Sequence, residues 1–201
     1  RGLGDVYKRQ IFKALAPACP ELVPAAHHGD LNLAGGGFGA VFNADGQSAT
    51  VCINDGDTHN HPVEAMEAKS SDVFVRRALR PDSGGPGTFR GGLGITTEIK
   101  SLAEGRWSSS QQGRTALAPW GIRGGGSGRV GEAYIKAAGD ADFHREDPYR
   151  KLLAAGSSVT IMTAGGGGWG DPLDREPSRV RLDVIEEYIS REDARATYGV
   201  V

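Results

Sequence analysis

Ser83 lies in the stretch Arg80-Pro81-Asp82-Ser83-Gly84-Gly85-Pro86-Gly87, whose D-S-G-G-P letters are also the core of a serine-protease nucleophile motif. A nucleophilic serine needs a histidine base, a group that orients the base, and donors for the oxyanion. His27 and His28 precede Ser83 by too short a stretch to build two barrel walls, and no aspartate lies in a suitable strand context. Pro81 also replaces the glycine that normally precedes the motif's aspartate. The protease reading is set aside. Two readings remain. The loop is an anion-binding nest of backbone N–H groups, or a sharp turn in which Asp82 or Ser83 bonds the backbone two residues on and glycines supply positive φ. The sequence favours the turn. If the loop meets a substrate, the catalytic candidates are Arg80, Asp82, Ser83 and Arg90, because arginine pairs a carboxylate through two parallel hydrogen bonds.

His59 and His61 are the substrate-binding candidates. They stand two apart, near Asp55 and Asp57. In a strand, positions i and i+2 share a face, so both imidazoles could approach one metal. An isolated H-x-H is weak, and a polar loop capping the next helix outweighs it, so no metal site is assigned. The pair His27-His28 reads as a turn into a strand, and His144 lies in an exposed-looking polar stretch.

These residues sit among 31 glycines, gathered as AGGGFG, DSGGPG, RGGLG, RGGGSG and AGGGGWGD. That is about twice the typical share of roughly 7%. Such clusters make tight turns or bring backbone against backbone. None forms a P-loop or a dinucleotide fingerprint, so phosphate binding by this chain alone is not expected.

The elements between the clusters are readable. Ile11 to Ala16 closes a short helix before Pro17. Apolar alternation on both sides of Asp45-Gly46 predicts two strands joined by a tight turn there. Val63, Met66 and Lys69 share a helix face, followed by the strand-like DVFVRRAL. Ile95, Thr97 and Ile99 alternate with Thr96, Glu98 and Lys100 in a half-buried strand, Ser158 to Thr163 forms another, and Trp107 and Trp120 are packing anchors. Val180, Val184 and Tyr188 predict an amphipathic helix with Pro177 in its first turn. Ser190 and Asp193 form an S-x-x-D box opening a second short helix through Thr197, stopped at Tyr198-Gly199. The expected fold class is α+β. It is β-rich, with short, mostly antiparallel strands, glycine-rich turns and a C-terminal pair of short helices.

Composition narrows the function. The chain has 201 residues and 38% hydrophobic content, enough for a core. Its 23 basic and 25 acidic residues give a formal charge of -2 with no basic stripe, so no nucleic-acid partner is expected. Its apolar runs fall far short of the roughly 20 residues of a membrane helix, and its start lacks a signal peptide's apolar region. Cys19 and Cys52 belong to no disulfide or metal motif, which fits a cytoplasmic location.

Several stretches together resemble the hydantoinase B/oxoprolinase family. They are RPDSGGPGTFRGGLG, APWGIRGGGSG, DTHNHPVEAMEA and the tail AGGGGWGDPLDREPSRVRLDVIEEYISREDARATYGVV. The resemblance implies a subunit of an ATP-dependent hydrolase that opens a cyclic amide such as 5-oxoproline or a hydantoin. It also implies an A-type partner subunit that handles ATP, and a heteromeric assembly. A subunit of an acetone- or acetophenone-type carboxylase and a non-catalytic assembly module are the alternatives. The family's members are several hundred residues long, and a divalent metal would belong to their N-terminal portion. Residues 11–201 are therefore expected to be the C-terminal portion of such a domain, inactive alone, and residues 1–10 a non-native or disordered leader.

Overall fold

The computed structural model describes residues 10–23, 35–50, 62–107, 114–146 and 151–200. His27, His28, Cys52, Asp55, Asp57, His59 and His61 lie outside the described residues, as do residues 1–9 and the side chain of Trp107. Among those described, the α+β, β-rich architecture is present. The strands in chain order are β1 (Asp72–Leu79), β2 (Ile95–Ser101), β3 (Gly105–Trp107), β4 (Glu132–Lys136), β5 (His144–Arg145), β6 (Lys151–Leu153) and β7 (Ser158–Met162). Five of them form an antiparallel sheet in the order β1-β2-β7-β4-β5. The short strands β3 and β6 pair separately. No helix among the described residues is long and apolar enough to cross a membrane.

The sheet follows its β-branched alternation. Ile99, Val159 and Ile135 stand in one cross-strand row, beside Thr97, Ile161 and Ala133 in another. Leu153 of β6 closes a core cluster over Ile135, Val159 and Ile161. Thr96 is buried along with Ile95, Thr97 and Ile99, so both faces of β2 are covered here and the strand is buried more fully than simple alternation suggests. Helix α1 (Val63–Glu67) sits against the edge strand β1, where Glu67 Oε1 accepts a hydrogen bond from Phe74 N at 2.7 Å. A bulge between Phe74 and Arg76 interrupts that edge, a common device against unwanted edge pairing.

The glycine clusters are one structure. Residues 164–168 run through the middle of three other stretches. Gly166 N donates to Gly92 O, Gly165 N to Arg129 O and Gly168 N to Gly126 O, while Gly167 O accepts from Ala40 N. A Cβ at Gly165, Gly166, Gly167 or Gly168 would overlap the backbone of Ser83, Phe38, Trp120 or Pro86 respectively. An extended chain whose successive residues face different neighbours has roughly the three-residue periodicity of polyproline II, and crowding at such an axis admits only glycine. Positive φ is the smaller part of the account, at Gly124 and Gly170 within these stretches and at turns such as Gly139 and Gly156.

Two local expectations move. The tight turn falls on Phe42-Asn43, with Val41 bridging Ala44 and Asn43 at φ 75°, ahead of Asp45-Gly46. Asp45 is drawn away by arginines distant in sequence. The main aromatic anchor is Trp169 inside the glycine run. It packs with Val23, Ala40 and Ile122, Trp120 lies at the margin of that cluster, and Trp169 Nε1 donates to Pro20 O at 3.3 Å. Residues 10–15 are helical and place Phe12 on the same cluster.

After the 3-10 turn Pro172–Asp174, the tail forms α2 (Pro177–Ile185) and α3 (Arg191–Tyr198). Helix α2 ends before Tyr188, because Glu187 takes φ 58° and breaks the helical path. Helix α3 starts at the Ser190 cap, whose hydroxyl accepts from Asp193 N at 3.1 Å, and ends at left-handed Gly199.

Candidate functional site

The D-S-G-G loop differs from an isolated turn. Asp82 itself takes the left-handed φ of 57°. Its N–H donates to Tyr188 O, and its carboxylate accepts from Ser190 N at 2.7 Å. A capping box would have the Asp193 carboxylate reach that same Ser190 N–H. Here Asp82 takes it from across the fold, and Asp193 accepts from the Thr197 hydroxyl instead.

Ser83 is fully buried. Its hydroxyl donates to Arg80 O at 2.6 Å and accepts from Gly94 N at 3.0 Å. The loop's N–H groups at Gly85, Thr88, Phe89, Gly91 and Gly92 bond backbone oxygens, and Arg90 N bonds Asp45 Oδ1. Each is engaged within the fold, which leaves those donors no free direction for an anion.

Arg80 ties three stretches together. Its guanidinium donates to Val130 O, Thr163 O and Glu132 Oε2, the last at 2.7 Å. Burial lowers the Arg80 pKa, the Glu132 carboxylate opposes that, and nearby Arg129 adds to the lowering.

Arg90 faces a second, larger network with Arg175, Asp45 and Asp183. Arg175 donates to both Asp45 oxygens at 2.7 and 2.9 Å, to Asp183 Oδ2 through Nε and NH2, and to Thr88 O. The Arg90 guanidinium reaches Asp183 Oδ1 at 3.5 Å and Gly91 O at 2.7 Å, and lies over the Tyr188 ring. Two positive and two negative groups cancel there. Only 1% of the Arg175 side chain is exposed. Burial works against its charge, but the bonds and charges of Asp45 and Asp183 outweigh it and raise its pKa. Burial also raises the Tyr198 pKa, against the charges of Arg175 and Arg90.

Burial tends to raise the Asp45 pKa, yet the Arg175 bond and charge, with the Arg90 N–H and charge, hold it below the ordinary 3.8. A carboxylate with a depressed folded-state pKa contributes stability that is fully present above its unfolded value and is lost as pH falls through the folded one. Tail docking is therefore expected to weaken steadily below about pH 4. Hydrogen exchange of tail amides from pH 6 to pH 3, corrected for intrinsic rates, checks this. Asp45→Asn should flatten that limb, and an unchanged limb would remove Asp45 from the account.

The structure thus places Arg80, Ser83 and Arg90 as buried, bonded groups and the half-buried Asp82 against the tail, while His59 and His61 lie outside the described residues. Sequence alone points to Asp45 only as a turn residue, and does not single out Arg175 or Asp183. Among the described residues, no three His, Cys, Asp or Glu side chains gather as a metal would require. The two carboxylates of the network, Asp45 and Asp183, already face arginines.

A chain built on interlocked glycine stretches, with arginines pinning its loops, matches a known family. The hydantoinase B/oxoprolinase family matches residues 6–172, and the chain belongs to that family. It is 31% identical over 215 residues to the putative B-type subunit of a D-/L-hydantoinase from a Pseudomonas species, covering 98% of this chain and 36% of that protein. The crystal structure of an ATP-dependent caprolactamase from Pseudomonas jessenii superposes with a TM-score of 0.79 at 26% identity, over 94% of this chain and 37% of that one. A nucleotide-free acetone carboxylase superposes with a TM-score of 0.65 at 24% identity, over 83% of this chain and 26% of that one, which shows a shared fold. The chain spans about a third or less of the length of the curated relatives it matches.

Proposed function

We propose that this chain supplies a scaffold portion of a B-type subunit in an ATP-dependent hydrolase of cyclic amides, acting with an A-type subunit that handles ATP. The carrying observation is its likeness to a hydantoinase's B-type subunit over nearly its whole length, supported by the caprolactamase superposition. The interlocked glycine stretches support the scaffold role, since they hold several loops at fixed spacing. In this reading Arg80, Ser83 and Arg90 position the backbone, and groups that touch substrate lie elsewhere in the subunit. A substrate panel tests the proposal. A B-type subunit carrying this sequence, with its A-type partner, should hydrolyse ATP in response to a hydantoin, 5-oxoproline or a lactam. A response only to acetone or acetophenone with bicarbonate would replace the hydrolase by a carboxylase.

Ser83 gives a second test. In that assembled enzyme, Ser83→Ala leaves Gly94 N without its acceptor, at a cost of about 1–3 kcal/mol in stability. The expected kcat of the folded variant stays within about tenfold of the parent. A loss beyond about 10³-fold with the fold intact would make Ser83 a reacting group.

A further inference from the structure

The tail carries its own small core. Val180, Ile189, Ala194 and Tyr198 pack together with Val184 and Val200, and every member of that cluster lies between residues 180 and 200. The other two clusters contain no residue of this stretch. Among the described residues, the hydrogen bonds and ion pairs between the tail and the rest form a polar seam. Arg175 pairs with Asp45 and donates to Thr88 O, and Asp183 pairs with Arg90. The Asp82 carboxylate accepts from Ser190 N, and the Asp82 N–H donates to Tyr188 O. The aromatic contacts across the seam are also cationic, Arg90 over Tyr188 and Arg179 over Phe89.

A segment with an internal apolar core and a polar seam has the makeup of a separate cooperative unit. We infer that residues 172–200 form a strap over the D-S-G-G loop, that the strap opens as one unit without unfolding the sheet, and that the Arg175 clasp controls how often it opens. Closed, it covers Asp82 and Arg90. Open, it frees both side chains on the loop's outer side. The strap is a conformational device independent of the reaction proposed above, since it rests on the seam and the core alone.

Native-state hydrogen exchange on the whole chain decides this. In the parent at low urea, the amides of Val180, Ala194 and Val200 should share one opening that is smaller than the opening exposing Thr97 and Ile161. Arg175→Lys keeps the charge but loses the two-pronged grip, and Arg175→Met loses both. Each should accelerate the tail amides, the methionine variant by about a hundredfold or more, while sheet amides change by less than about twofold. Tail and sheet amides accelerating in step would overturn the inference. So would tail rates that do not respond to either change. If the methionine variant fails to fold, the parent's urea dependence decides. A tail opening that matches the global one at every urea concentration would overturn the strap.

Discussion

Arg175→Met is expected to lower the free energy that keeps the tail docked by about 3–5 kcal/mol. The cation pairs with both Asp45 and Asp183, and its removal leaves the two carboxylates with Arg90 as the remaining cation of the network, Asp183 being nearly shut off from solvent. Asp45→Asn and Asp183→Asn should each cost less, about 1–3 kcal/mol, because an amide oxygen still accepts a hydrogen bond and Arg175 keeps its other carboxylate. The measurement is the opening free energy of the tail amides in each variant. An Arg175→Met loss no larger than that of Asp45→Asn would show that the arginine is not the centre of the network.

The second large effect lies in the glycine bundle. Gly166→Ala is expected to cost about 3 kcal/mol or more, or to prevent folding, since packed backbone cannot give way as a flexible side chain can. The new methyl would overlap the backbone of Phe38 and Gly39. Gly139→Ala is the control. No heavy atom lies within 4 Å of its Cβ position and φ is 93°, so only backbone strain applies. That strain is about 1–2 kcal/mol. Thermal or urea unfolding monitored at tryptophan compares the two. Trp169 adjoins the bundle and reports it directly. Equal losses at both positions would mean that the stretches do not interlock as described.

These two sites also mark where sequence reading ran out. Strands β1, β2 and β7 and both tail helices were legible, because their apolar spacing and capping residues act over a few positions. The cap at Ser190 and the stop at Gly199 are examples. The apolar spacing puts Tyr188 on a helix that stops short of it, where Glu187 takes a positive φ rare outside glycine. Asp45-Gly46 has ideal turn chemistry, yet a carboxylate flanked by buried arginines gains more from pairing than from turning. The glycine clusters announced close backbone approach without naming their partners. Which cluster meets which depends on hydrogen bonds between residues far apart, such as Gly166 with Gly92. One signal for the charge network was present. Asp45, Arg90 and Arg175 are charges close to glycine or proline, outside any amphipathic face. A charge in such a setting has few solvated neighbours and needs a partner. Substrate contact by His59 and His61 is a proposal, tested by His59→Ala and His61→Ala changes in the full assembly.

A chimera tests the central claim most directly. This sequence replaces the matching third of the B-type subunit of the Pseudomonas hydantoinase, and the product is assayed with its A-type partner. The account predicts ATP hydrolysis that depends on the cyclic amide, within about tenfold of the parent, because the transplanted portion holds the frame and the reacting groups stay in place. A chimera that folds and binds its partner yet shows no amide-dependent ATP hydrolysis would contradict it.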